Sequence, residues 1–543
     1  MESGEEPKPE SDVSDGHIGR GFLWITGAKL WFLVTATLLN IALPRLFGDT
    51  QLYGDYQTLA RFLAVLSMVI LTGSLQTSSK GASESPADAG LVRRRAQSLA
   101  LTVSGSLALV VFLGADLIAG WLWHDGSLAL PLRIATGVLL GYGLYATWIG
   151  IANGLENYRT QAMFDIGFAT LKTAGIVTAV ILGLGVIGVF AMFTTVTLLM
   201  TCVAFLVIAR KTPARPNPDA NVMDTRRMIR FMAGVMGFNL TLYFILQGDV
   251  VLLKGLVHGA GANTLEAAGA GLGMNLLHGT MENATLSTDH LARDGASSVT
   301  GIYGAVRIIT MLPYQAIISL TFVIFPLLSA ATFQEDQKKT ERTITGALRF
   351  AILLVASLCG ALVLTEDILL RILFGAPYAA GAIFLIPMVF GTLAFALYFL
   401  LTSILTAAGH PGKTFFVGLV CAVTYVVLLM IGTRNATTPF DRATVAAWLS
   451  MAGPLLGFIL SSILLARILS VRLPWLSLIR GVVGAGGIAF ALLHLMPVTS
   501  ILTALLRVLV FFACVLIAWF VSRELTGDDA RSIARLLGRR GNR

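Results

Sequence analysis

Lys29, Arg61, Lys172 and Arg307 each lie inside a long apolar stretch, and none has an acidic residue within one helical turn along the chain. A charge at the centre of a bilayer costs about 2.5–3.5 kcal/mol on insertion scales, so such side chains face a bundle interior or a wet cavity rather than lipid. The chemistry these four offer is the binding of an anion. Carboxylates form a second class: Asp249 and Asp165 also fall in apolar segments, where a desolvated carboxyl group can exchange a proton or hold a coupling cation. Asp165 precedes Lys172 by seven residues, two turns away on nearly the same helix face. Arg133 and Arg507 begin apolar segments, and anchoring at the membrane surface is the reading expected for both.

The elements that must position these residues are membrane-spanning helices. With about 20 apolar residues needed per span, the chain supplies about fourteen. Hydrophobic residues make up 56% of the 543 positions and charged ones only 13%, where soluble domains carry about 25% charge. The fold class is therefore all-α, a polytopic membrane protein. The net charge of +9 does not point to nucleic acid, because the basic residues are spread over short loops between spans. Placing the N-terminus in the cytoplasm puts about 27 Lys/Arg on the cytoplasmic side and about 6 opposite, and an even number of spans returns the C-terminus to the same side.

Organisation along the chain follows from composition. A tail over 1–20 precedes an N-lobe of six spans (21–210), and a proline-rich linker (211–228) leads to a C-lobe of six more (229–468). An insertion over 257–299 interrupts the C-lobe. Two further spans occupy 475–522, and a basic tail (523–543) has the spacing of a helix lying on anionic lipid. Two echoes link the lobes. Tyr53-Gly54-Asp55-Tyr56 at the second span matches Gly301-Ile302-Tyr303-Gly304 at the eighth, with Arg61 and Arg307 about a turn deeper in each. Leu144-Tyr145 to Asn153-Gly154 matches Leu397-Tyr398 to Ala408-Gly409 more loosely. Each echo joins spans six apart, which predicts two pseudo-repeated six-helix lobes around a central cavity, plus two C-terminal helices.

Enzymatic classes find little support. No HExxH, GxSxG or P-loop pattern occurs, the seven histidines are scattered, and the four cysteines lie far apart in apolar segments. No cofactor or metal is expected.

Asn40-Ile41-Ala42-Leu43-Pro44-Arg45-Leu46-Phe47-Gly48, followed by Tyr53-Gly54-Asp55-Tyr56, resembles the opening of the polysaccharide transporter branch of the multidrug/oligosaccharidyl-lipid/polysaccharide (MOP) exporter superfamily. So do Gly301 through Leu312-Pro313 to Phe325-Pro326-Leu327-Leu328-Ser329, Phe374-Gly375-Ala376-Pro377-Tyr378, and Ala407-Ala408-Gly409. The resemblance implies a flippase for undecaprenyl-pyrophosphate-linked oligosaccharides in a bacterial inner membrane, working by alternating access. It implies that cations on the first, second and eighth spans hold the pyrophosphate, and Lys29, Arg61 and Arg307 occupy those spans. Expected partners are the lipid-linked oligosaccharide, membrane lipids, and a polysaccharide polymerase with glycosyltransferases; nucleic acid is not among them. Three alternatives remain: a lipid II flippase, a drug/cation antiporter of the same superfamily, and a non-transporting membrane scaffold.

Overall fold

The structure, a computed structural model, describes residues 10–211, 223–271, 281–318, 321, 337–498 and 500–524. Most of the basic tail (525–543), most of the proline-rich linker and the Phe325-Pro326 motif lie outside the described residues. Among the described residues the secondary structure is helical, with no strand. Thirteen helices, or fourteen if a bent pair counts as one span, are long and apolar enough to cross a membrane. The protein is a multi-pass membrane protein.

The chain divides into two compact units, Met1–Gly301 and Ile302–Arg543. The first holds α1 (Glu10–Phe47), α2 (Thr50–Glu84), α3 (Ala89–Leu113), α4 (Ala129–Gly154), α5 (Tyr158–Ile181), α6 (Gly185–Lys211), α7 (Thr225–Gly271) and most of α8 (Met281–Thr310). Helix α4 packs on α2, α3 and α6, α1 packs on α5, and α7 packs along α2. The turn between α1 and α2 shows why the break occurs there. Gly48 adopts φ +67°, open to glycine without a Cβ penalty, and Asp49 caps α2 by accepting a hydrogen bond from the Gln51 amide at 2.8 Å.

The second unit continues α8 into α9 (Leu312–Ile318) through a 42° bend at Met311. It then runs through α10 (Gln337–Val363), α11 (Glu366–Phe374), α12 (Ala382–Ala407), α13 (Pro411–Gly432), α14 (Pro439–Leu449), α15 (Ala452–Ile468), α16 (Trp475–Leu495) and α17 (Ile501–Val521). Helices α16 and α17 pack on each other and on α10.

The segment 257–299, expected as an insertion, is largely helical: α7 continues to Gly271 and α8 begins at Met281, with 272–280 outside the described residues, and the span-forming parts of the two helices are Thr225–His258 and Ala292–Thr310. Hydropathy missed the start of α8 because Asp294, Ser297, Ser298 and Thr300 are polar, although Ser297 and Thr300 are buried. One sequence expectation, on Arg507, is corrected. Arg507 is no surface anchor, since it is fully buried and its guanidinium donates to the backbone oxygens of Leu364 and Met496 and to the Glu366 carboxylate.

A second ionic clamp closes the other end of the α16–α17 hairpin. Glu524, 4% exposed, receives Arg349 of α10 at 3.1 Å, Arg480 of α16 at 3.0 Å and the Ser477 hydroxyl at 2.7 Å. Burial alone would push the Glu524 carboxyl up. The Ser477 and Arg480 hydrogen bonds and the Arg349 charge outweigh it and hold the group below the usual glutamate value. A depressed carboxyl contributes stability that is complete above its unfolded value, about 4.3, and is lost as pH falls through the folded value. Thermal unfolding in detergent is therefore expected to show a decline below pH ~4 that Glu524→Gln reduces. An identical acid profile in that variant would count against the clamp.

Candidate functional site

Arg61 stands on the face of α2 that packs against α7. Its Nε donates to Gln57 Oε1 at 2.8 Å and its Nη1 to Gln247 Oε1 of α7 at 3.2 Å. Amide oxygens orient a guanidinium without cancelling its charge. Arg307 lies in the last turn of α8, in the second unit, 4% exposed. Its carbonyl accepts from Thr310 Oγ1 and the Met311 amide, both at 3.2 Å, at the bend into α9.

The other expected residues take different settings. Lys172 of α5 lies over two aromatic faces, 5.1 Å from the Phe32 ring centre and 5.6 Å from that of Phe193, a cation–π arrangement that tolerates a charge where carboxylates are costly. Lys29 is exposed on α1, and its charge interacts with that of Asp165, so Asp165 is coupled to α1 across the α1–α5 contact. Asp249 is 1% exposed within α7, and its Oδ1 accepts from the Val250 amide at 2.9 Å. Asn153 joins helices, accepting from Ser79 at 2.8 Å and donating to Gln161 at 2.6 Å.

A cluster that sequence reasoning missed lies at the end of the first unit where α1 gives way to α2. Lys254 of α7 has no exposed side-chain surface, and its ammonium donates to Asp55 Oδ1 of α2 and to Asp125 Oδ2, each at 2.6 Å. Arg293 of α8 approaches Asp125 at 3.8 Å, and the Ser297 hydroxyl donates to Asp55 at 2.7 Å. Asp125 lies between α3 and α4. Burial would raise its carboxyl, but the Lys254 charge and hydrogen bonds from Lys254 and Ser127 hold it below the ordinary aspartate value. Trp123 pins the same connection to α7 through Nε1 to Val251 O at 3.0 Å, and the His124 and His258 rings stack at 5.0 Å. One signal for Lys254 was present in the chain: Gly255-Leu256-Val257 keeps the segment apolar beyond it, so the lysine does not end its helix.

Glycines let these elements meet. A Cβ on Gly54 would fall 1.8 Å from Ser297 O, and one on Gly301 would fall 2.3 Å from Thr50 O, so α2 and α8 touch backbone to backbone at the two glycines of the sequence echo. Thr50 to Ser298 (2.8 Å) and Gln51 to Asp294 (2.5 Å) continue the seam. Among the described residues, no group of three or more His, Cys, Asp or Glu is placed to hold a metal ion.

Comparison with known proteins agrees with this architecture. The fold is similar to that of the lipid II flippase MurJ in an inward closed conformation, with TM-score 0.68 and 13% identity over 92% of this chain and 99% of that one. It is also similar to an inward-facing multidrug resistance MATE family transporter of the MOP superfamily (TM-score 0.53, 14% identity, 80% of this chain and 99% of that one). A third similar structure is a MOP superfamily transporter from Pyrococcus furiosus whose binding pocket is described as reversed in polarity (TM-score 0.51, 14% identity, 83% and 96%). No curated protein matches the chain. A family model described as polysaccharide biosynthesis protein matches residues 18–332, more than half of the sequence, and the chain belongs to that family.

Proposed function

We propose that this protein is a flippase that moves an undecaprenyl-pyrophosphate-linked oligosaccharide, a polysaccharide or O-antigen precursor, across a bacterial inner membrane by alternating access, with both termini in the cytoplasm. The observation that carries the reading is Arg61, a guanidinium within a membrane span whose Nε and Nη1 are oriented by two amide oxygens from α2 and α7. A diphosphate bears about two negative charges that hydrocarbon does not solvate, and cations in a low-dielectric site offset that desolvation. Arg307, enclosed in its own unit, is assigned the same role, with Lys172 and Lys29 as further cations on the path. Asp249 and Asp165 are the carboxylates proposed for ion coupling. A polymerase and glycosyltransferases would consume and supply such a cargo.

A second reading is a lipid II flippase, favoured by the likeness that spans 99% of the MurJ chain. Both cargoes share the pyrophosphate, so the site chemistry is common to them and the sugar decides. The test is reconstitution into liposomes with three fluorescent probes: an undecaprenyl-pyrophosphate oligosaccharide, lipid II and a cationic dye. Protein-dependent translocation of the first is expected to exceed that of the second. Movement of the dye alone would overturn both readings in favour of a drug/cation antiporter, and movement of none would favour a scaffold.

A further inference from the structure

We propose that Lys254 and Arg293 form a second phosphate-binding station, occupied in this structure by the carboxylates of Asp55 and Asp125 as internal stand-ins for phosphate. The inference rests on the pyrophosphate reading above and deepens it. Charge matching is the first argument. Among the described residues, Lys254 and Arg293 face the carboxylates of Asp55 and Asp125, and a pyrophosphate diester of about two negative charges can take the place of that carboxylate pair. Hydroxyl donors are already in place, Ser297 on Asp55 at 2.7 Å and Ser127 on Asp125 at 2.6 Å.

Placement is the second argument. Asp55 meets Lys254 and Arg61 meets Gln247, so α2 and α7 run antiparallel with their polar contacts on one seam. Gln247 and Lys254 are two turns apart on a single face of α7, about 10 Å along the axis. A phosphate leaving Arg61 toward the α1–α2 end therefore meets Lys254 next. The choice of side chain suits a transient station, because an ammonium makes point contacts where a guanidinium makes a bidentate fork.

Energetics is the third. A fully buried ammonium is expensive, and a well-packed apolar side chain of similar volume closes the same space at equal or lower free energy. A purely structural role leaves the charge unexplained, whereas an exchange of counter-anions explains it. The carboxylates come from α2 and from the α3–α4 connection, so parting these elements from α7 exposes the ammonium. Phosphate on Lys254 and closure of this end are then mutually exclusive, and arrival of the cargo favours opening.

The test uses full-length protein in nanodiscs, its four native cysteines replaced, with Thr50→Cys as reporter on the α2–α8 seam. Labelling by a membrane-impermeant maleimide is followed with and without inorganic pyrophosphate, and saturable pyrophosphate binding is measured in parallel. Acceleration of labelling by about tenfold is expected, the size of a tenfold preference of pyrophosphate for the open form. Lys254→Arg is expected to keep it. The uncharged but hydrogen-bonding variant Lys254→Gln/Asp55→Asn/Asp125→Asn is expected to lose it while still binding pyrophosphate. Equal acceleration in that variant would overturn the station and leave the cargo reading standing. No saturable binding by the protein with its native network would overturn both. If the triple variant is not recovered folded, Arg293→Gln gives the same comparison without touching the buried ammonium, and undiminished acceleration there overturns the station.

Discussion

Arg61→Ala and Arg307→Ala are each expected to abolish export while leaving membrane abundance unchanged. Truncating one partner of a buried, hydrogen-bonded charge pair costs about 2–5 kcal/mol. At about 1.4 kcal/mol per tenfold, that is a loss of about 30-fold or more for each site. Arg61→Ala also leaves Gln57 Oε1 and Gln247 Oε1 without their guanidinium donor, so thermal stability must be recorded beside transport. Arg61→Lys separates two chemistries: partial activity is expected if charge alone holds the phosphate, and almost none if the bidentate fork is required. Surface polysaccharide in a complementation assay is the readout. Normal surface polymer in the double variant would sink the phosphate role of both residues.

The second large effect concerns the glycine crossing. In Gly54→Ala the added Cβ lies 1.8 Å from Ser297 O and 2.6 Å from Ser297 C, both backbone atoms that no rotamer change relieves. Ordinary van der Waals separation is about 3.5 Å, so α2 and α8 must part by more than an ångström. That displacement breaks the Asp55 to Ser297 bond and loosens Thr50 to Ser298 and Gln51 to Asp294. Gly301→Ala strikes Thr50 O at 2.3 Å and is expected to act in the same direction. Both variants are expected to fold, to label rapidly at Thr50→Cys without any added anion, and to lose export, because alternating access requires each end to close. A larger Gly54→Leu that labels rapidly and still exports normally would show that the crossing need not close.

Much of this protein was legible without coordinates. Apolar runs of about 20 residues fix spans whatever surrounds them, because backbone polar groups in hydrocarbon must be satisfied within the helix. The family resemblance likewise rested on local motifs, and the family model and the MurJ-like fold agree with it. Arg61 and Arg307 stood out because a charge inside an apolar run, with no acidic residue within a turn along the chain, is visible in one dimension.

Lys254 did not stand out, although it is the most completely buried cation outside Arg507 among the described residues. Its carboxylate partners lie 199 and 129 residues away, and nothing in local hydropathy says which distant carboxylate a helix will meet. Asp55 was read as part of a tyrosine motif, and Asp125 was not singled out. The polar start of α8 was read as an insertion because periodicity cannot anticipate that Gly54 and Gly301 admit it to direct contact with α2. The sequence by itself determined the class and the spans, since these follow from transfer free energies summed along a local segment. Which helices touch and which charges neutralise one another were decided only by the tertiary structure, because pairing energy depends on distances between groups the chain keeps far apart.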